Sequence, residues 1–306
     1  LNRYPDPYQK LLKEKVSVLK GIPVNQIFLG NGSDEPIDIL LRMFCQPGED
    51  AIITLPPTYG MYKVSADIAG VQNIEVPLLL NFQPNPEEIL KVAGAKAKIL
   101  FICSPNNPTG NHIEIEIIEE ILQKFNGIVV VDEAYIDFSS NPSALYLLPS
   151  YHNLVVLQTF SKAWGLAGLR LGMAFSTPEL ISFMNKVKAP YNLNILTQQT
   201  ASEYLDKKEK VLLDIETIIQ ERQNLAEGLS DFSFVQKIYP SDANFLLIKV
   251  VEPQKIYEFL VGHGIIVRDR SSVLNCENTL RITIGTPEEN QQLIDTLKKY
   301  EKSIVY

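Results

Sequence analysis

The sequence predicts an α/β protein: a mainly parallel sheet covered by helices on both faces, joined to a smaller α+β unit. Two observations carry this reading. Short β-rich apolar runs recur between stretches whose apolar residues repeat with a helical period, and strands alternating with helices in this way pack as a parallel sheet buried on both sides. After about residue 229 the pattern changes to strands with two further helices.

Taken in order, residues 26–29, 51–55, 99–103, 128–131 and 154–158 read as strands. Between them, 35–44, 59–69 and 113–125 read as helices. The first has Asp34 as its expected N-cap and Pro36 in its first turn, where the missing amide proton has no helical partner to lose. A charged amphipathic stretch at 196–229 is long enough to leave the first sheet and begin a second unit. Beyond it, 244–250, 264–268 and 279–284 read as strands, and 253–261 and 287–300 as helices.

Composition narrows the function classes. A chain of 306 residues with 45% hydrophobic and 21% charged content buries a full core and has the length of about two domains. Its formal net charge of -8, with no run of five lysines and arginines, argues against a nucleic-acid surface or a basic membrane patch. Cys45, Cys103 and Cys276 are odd in number and far apart, so neither a disulfide framework nor a zinc knuckle is expected, and a reducing cytoplasm fits. His112, His152 and His263 lack metal-ligand spacing, so no metal is expected. No apolar stretch reaches the roughly 18 residues of a membrane span. Small-molecule chemistry is what remains.

Three expected strands end in polar residues, and in a parallel sheet ligands bind at the carboxyl ends of the strands. The run 99–103 enters Ser104-Pro105-Asn106-Asn107-Pro108-Thr109-Gly110, a loop stiffened by two prolines that can point an amide inward. The run 128–131 leads into Asp132-Glu133-Ala134-Tyr135. A carboxylate there is costly to bury unless a cation or a donor meets it. Asp132 reads either as a helix cap or as the partner of a pyridinium nitrogen, which it would keep protonated so that the ring acts as an electron sink. The run 154–158 leads into Thr159-Phe160-Ser161-Lys162, with Arg170 eight residues beyond the lysine. Desolvation and a nearby cation lower a lysine's pKa and favour the neutral, nucleophilic amine. Thr159, Ser161 and Arg170 suit a phosphate. A second phosphate signal lies in Gly30-Asn31-Gly32-Ser33-Asp34, before a helix N-terminus. It is not a dinucleotide fingerprint, because Glu35 stands where the third glycine would fall.

In that order, Ser-Pro-Asn-Asn-Pro-Thr-Gly (104–110), Asp-Glu-Ala-Tyr (132–135) and the segment from Thr159 to Arg170 resemble the fold-type I aminotransferases that use pyridoxal 5'-phosphate (PLP). More narrowly, residues 1–7, Pro56-Pro57-Thr58-Tyr59-Gly60-Met61-Tyr62, residues 264–269 and 280–285 are similar to the histidinol-phosphate aminotransferase family. The resemblance implies the type I PLP-dependent transferase fold: a large domain with a mainly parallel seven-stranded sheet over residues 21–214, and a small α+β domain from 1–20 and 215–306. It implies catalytic roles for Lys162, Asp132 and Tyr135. Lys162 would carry the cofactor, Asp132 would pair with the ring nitrogen, and Asn107 and Tyr135 would bond its phenolic oxygen. Tyr59 would stack on the ring, and Gly32, Ser33, Asp34, Thr159, Ser161 and Arg170 would surround its phosphate. Tyr4 would reach that phosphate from a neighbouring subunit, so a homodimer with shared active sites is expected.

The resemblance also assigns substrate contacts: Arg281 to a carboxylate, Arg268 to a phosphate, and Asn244 near the site. The implied reaction transfers an amino group between L-histidinol phosphate and 2-oxoglutarate in histidine biosynthesis. Aromatic aminotransferases and threonine-phosphate decarboxylases of the same fold would share most of the cofactor residues. A PLP-binding regulatory module without turnover is the reading from another class. The sequence opens at Leu1 without a methionine, so an N-terminal arm, which in the resembled family closes over the substrate, is expected to precede it.

Overall fold

The computed structural model describes residues 2–304; Leu1, which opens the first resembling motif, and residues 305–306 of the expected smaller unit lie outside that range. In chain order the first elements are α1 (Lys10–Lys20), β1 (Ile27–Asn31), α2 (Asp34–Phe44), β2 (Ala51–Thr54), α3 (Met61–Ala69) and β3 (Gln72–Glu75). Then come α4 (Pro86–Ala93), β4 (Ala97–Cys103), α5 (Ile115–Lys124), β5 (Ile128–Asp132), β6 (Leu154–Thr159), β7 (Leu171–Phe175) and α6 (Pro178–Val187). The chain ends with α7 (Ile195–Leu205), α8 (Lys208–Ser230), β8 (Val235–Ile238), β9 (Phe245–Val250), α9 (Pro253–Gly262), β10 (Arg268–Asp269), β11 (Thr279–Thr283) and α10 (Pro287–Ile304).

The larger sheet has seven strands in the order β1-β7-β6-β5-β4-β2-β3. Pairings are parallel except around β7, which runs antiparallel to both β1 and β6. The carboxyl ends of β1, β4, β5 and β6 therefore share one edge with the amino end of β7. That edge gathers Asn31, Cys103, Asp132 and Thr159, together with Arg170, the residue before β7.

Alternation along the strands sorts their side chains onto two faces. Leu29, Leu100, Ile102, Val129, Val131 and Val156 belong to one core, with Leu12 and Val16 of α1 and residues of α5, α7 and α8. Phe28, Ile99, Phe101, Val130, Val155 and Leu157 belong to the other, covered by α2, α3 and α6. Each side chain of this size, fully buried, contributes roughly 1.5–3 kcal/mol. The second sheet, β10-β11-β9-β8, is antiparallel throughout. One of its faces packs Leu246, Ile248, Leu280 and Ile282 against α8, α9 and α10.

Several boundaries differ from expectation for local reasons. Ser33, not Asp34, is the residue before α2, and it makes no side-chain capping bond. The stretch 196–229 is two helices, α7 and α8, broken at Asp206 and Lys207 where the run of polar residues has no apolar surface to bury. The strand expected at 264–268 is reduced to β10, because Gly264 has a φ of 77° and ends the helical turn in a left-handed conformation. β7 is an interior strand, between β1 and β6, although its sequence, Leu-Gly-Met-Ala-Phe, lacks β-branched residues. Gly172 explains part of that composition: a Cβ there would run into the backbone of Gly32 and Ser33.

Candidate active site

The carboxyl edge of the large sheet opens into a cleft with about 490 Å³ of empty space, continuous with solvent at its mouth. Asp132 forms its floor. In the sheet register Asp132 lies beside Cys103 and Leu157, on the face covered by α3. This face brings Tyr62 of α3 to the carboxylate, where its hydroxyl donates to Asp132 Oδ2 at 2.7 Å. The Ala134 amide donates to Oδ1 at 3.2 Å. Burial pushes the Asp132 carboxyl up to about 6, against these two donors and the Lys162 ammonium, which favour the ionised form.

Tyr62 is fully buried and stacks on Phe101, with ring centroids 4.6 Å apart, while meeting Tyr59 edge-on. Tyr59 lines the cavity just before α3, and its hydroxyl donates to Asp34 Oδ1 at 3.3 Å. Lys162 follows β6 at the cavity's side, with its Nζ 5.4 Å from the centre of the Tyr135 ring. Its side chain is open to solvent through the mouth but enclosed on its other sides. That enclosure lowers its pKa, assisted by the Arg281 and Arg170 charges and opposed by Asp132 and Asp34.

The opposite end of the cavity is built for an anion. Ser33, Thr159, Ser161 and Arg170 line it. The Thr159 hydroxyl donates to Ser161 Oγ at 3.0 Å, and the Ser161 amide donates back to Thr159 Oγ1. Arg170 has a left-handed backbone (φ 51°), its carbonyl accepts from the Gly32 amide at 2.7 Å, and its guanidinium lies 3.4 Å from Asp34. Gly32 has a φ of 75°, and a Cβ there would come within 2.5 Å of Arg170 Nη2. The uncapped start of α2 adds free backbone donors at this end.

A further wall comes from the loop after β4, which Arg281 of the small sheet contacts. Asn106 ties the loop down by donating to the Pro57 carbonyl at 2.8 Å and to Thr109 Oγ1 at 2.7 Å. Asn107 is then free to face the cavity, where its Oδ1 accepts from Arg281 Nη1 at 2.6 Å. The Arg281 guanidinium lies over the Phe245 ring at 4.9 Å, and Phe245 meets Tyr135 edge-on.

The structure thus gathers Ser33, Asp34, Tyr59, Asn107, Asp132, Tyr135, Thr159, Ser161, Lys162 and Arg170 around one cavity, with Gly32 and Arg281 in contact with them. Arg268 is exposed and sits directly across the strand ladder from Arg281. Asn244 is held by its backbone, its carbonyl accepting from Ile284, outside the residues that line the cavity. Tyr4 is outside it as well, exposed and stacked on Tyr191 with ring centroids 4.4 Å apart. Sequence reasoning did not single out Tyr62 or Cys103. Tyr62 sits three residues after Tyr59, one helical turn away, and that spacing was the available signal.

A lysine of lowered pKa, a buried carboxylate on the floor and an anion cradle at one end fit PLP: an aldehyde partner, a ring-nitrogen partner and a phosphate site. Fold and site together define a type I PLP-dependent transferase. The model of the aminotransferase class I and II family matches residues 1–297, and the chain belongs to that family. It is 52% identical to a histidinol-phosphate aminotransferase of Christiangramia forsetii over 98% of this chain and 86% of that protein. It is 51% identical to that of Cytophaga hutchinsonii over the same shares. A solved structure of histidinol-phosphate aminotransferase from Sinorhizobium meliloti, in complex with pyridoxal-5'-phosphate, superposes with a TM-score of 0.89 at 23% identity, covering 99% of this chain and 84% of that one. At that identity the likeness shows the fold. No helix among the described residues is long and apolar enough to cross a membrane.

Proposed function

We propose that the protein transfers the amino group between L-histidinol phosphate and 2-oxoglutarate, giving imidazole-acetol phosphate and L-glutamate, in histidine biosynthesis in the cytoplasm. The identity of about half the residues to histidinol-phosphate aminotransferases along nearly the whole chain carries this reading. Arg281 of the small sheet, bonded to the cavity residue Asn107 and paired across the ladder with Arg268, supports it.

PLP, when bound, supplies an aldehyde that captures amines and a ring that withdraws electrons from the substrate carbon. The protein's residues supply the rest. Gly32, Ser33, Asp34, Thr159, Ser161 and Arg170 hold the phosphate end, with Tyr4 from a neighbouring subunit of a homodimer. Tyr59 covers the ring face, and Asn107 and Tyr135 hold its phenolic oxygen. Asp132 holds the proton on the ring nitrogen. Lys162 would hold the cofactor's aldehyde end, and its Nζ, when free, would take up and hold the proton from the substrate carbon, a task that a lowered lysine pKa suits. Arg281 grips the carboxylate of glutamate or 2-oxoglutarate with its planar fork, Arg268 meets the substrate phosphate, and Asn244 stands near them.

The test is a half-reaction. PLP-loaded protein is mixed separately with L-histidinol phosphate, L-glutamate, L-phenylalanine and L-threonine phosphate, and conversion to pyridoxamine phosphate is followed by absorbance. Fast conversion with the first two and slow conversion with phenylalanine is expected, with Lys162→Ala losing the amine-dependent change. Preference for phenylalanine, or release of carbon dioxide from threonine phosphate, would overturn the substrate. A wild-type spectrum indifferent to every amine would overturn the enzyme.

A further inference from the structure

The small sheet brings a third arginine to the face that carries Arg281. Across the β10–β11 ladder Arg268 lies opposite Arg281 and Asp269 opposite Leu280. The pairing continues one step further, the Arg270 amide donating to the Thr279 carbonyl at 2.9 Å. Side chains alternate along such a ladder, so Arg268, Arg270 and Arg281 share one face, while Asp269 shares the other with Leu280, which is buried in the small core. The arginine face is the one turned toward Phe245, Tyr135 and Asn107.

Three guanidinium groups on one face repel one another, and among the described residues none of the three forms an ion pair. Nε of Arg270 and Nε of Arg281 are both buried without a hydrogen-bond partner, as is the hydroxyl of Ser271. Leaving such groups unsatisfied is costly, so a polar partner at this face is favoured. The loop that carries them is nevertheless held in place. The Val273 amide donates to the Arg270 carbonyl at 2.9 Å, and Asn275 Nδ2 reaches the Leu78 carbonyl at 3.4 Å. The Tyr135 phenol senses the cluster: Arg281 and Arg270 both pull its pKa down against the larger upward effect of burial. One bidentate arginine satisfies a carboxylate, whereas a phosphate monoester carries close to two charges and three acceptor oxygens.

We propose that Arg270 is a specificity-determining residue: it adds a third positive charge beside Arg268 and Arg281, and so favours amines that end in a phosphate dianion over amines without one. The inference rests on the proposed reading of Arg268 and Arg281 as substrate-anion residues. It extends that reading to a residue outside the motifs that suggested it.

Arg270→Gln and Arg270→Lys are compared with wild type, all PLP-loaded, in half-reactions with L-histidinol phosphate and L-phenylalanine. Binding of inorganic phosphate to the same proteins is measured by calorimetry. A charge-assisted bond is worth about 1.5–3 kcal/mol, so Arg270→Gln should lower kcat/KM for histidinol phosphate by about 10- to 100-fold, mostly through KM, and weaken phosphate binding in parallel. The phenylalanine reaction and the cofactor spectrum should change less than about threefold, and Arg270→Lys should recover part of the loss. An equal fall for both substrates, or an unchanged ratio with unchanged phosphate binding, overturns the proposal. If wild type rejects histidinol phosphate, the substrate reading fails by itself. The role of Arg270 is then decided by phosphate binding alone: weakening in Arg270→Gln supports it, and no weakening overturns it.

Discussion

Asp132 and Glu133 are adjacent acids with opposite destinations. Glu133 points away from the cavity and accepts from Ser143 Oγ, the Ala144 amide and Gln158 Nε2, at 2.6, 2.6 and 2.9 Å, tying β5 to β6 and to the short helical segment at 144–147. Asp132 faces the cavity with two donors, and both carboxyls are driven up by burial, Glu133 to about 7 and Asp132 to about 6. The alternation of strand residues separates them, one to each side of the sheet's edge. A folded-state pKa above the ordinary value means that the folded form holds a proton the unfolded chain has lost. For Asp132 and Glu133 together the stability of cofactor-free protein should therefore fall as pH rises from about 4 to about 7 and level off above. Removing the Tyr62 hydroxyl withdraws a bond to a charged group, about 1.5–3 kcal/mol, equivalent to roughly one to two pKa units. Tyr62→Phe should extend the falling limb toward about pH 7–8 in thermal melts of the cofactor-free protein. A melting profile that matches wild type across that range would show that Tyr62 does not govern the carboxylate.

The strand β7 and the turn from β1 into α2 are the elements that set the anion end of the cavity. Gly172 of β7 packs against the backbone of Gly32 and Ser33, and Arg170 enters β7 in a left-handed conformation that carries its guanidinium back to Asp34. This close approach leaves no room for a methyl group. Gly172→Ala should lose about 1–3 kcal/mol of stability, as overpacked sites do, and bind PLP more weakly because the turn is pushed off Arg170. Calorimetric melting with and without PLP tests both effects. A fully stable variant with native PLP affinity would show that the turn tolerates displacement. The glycines around 30–32 were visible in the sequence as an anion signal, whereas the need for glycine at 172 was not. It arises from a contact between segments 140 residues apart along the chain.

Across the whole molecule, the large sheet supplies the cavity and the small sheet brings Arg281 against its residue Asn107. The bridge between them includes Arg222 of α8, whose Nη1 donates to the carbonyls of Phe138 and Ala243 at 3.2 and 2.8 Å. Tyr4 stands outside its own chain's cavity; under the proposed reading it serves a neighbouring subunit of a homodimer. Co-refolding Lys162→Ala with Tyr4→Phe should then restore activity above either variant alone, since each mixed dimer contains one site with both native residues. Activity that never exceeds the average of the two separate variants would reject the shared site. The order of motifs along the chain was enough to mark Lys162, Asp132 and Asn107 as one constellation, because each closes or follows a strand whose end faces the same edge; Arg170 joined it only through its spacing from Lys162. The alternating period likewise announced the parallel sheet and its two cores. Only the tertiary structure decided that β7 runs antiparallel and delivers Arg170 to that edge, that Tyr62 meets Asp132, and that Arg270 lies on the face of Arg281. Each depends on strand direction or pairing register. Those are settled by contacts between distant segments, and local sequence does not encode them.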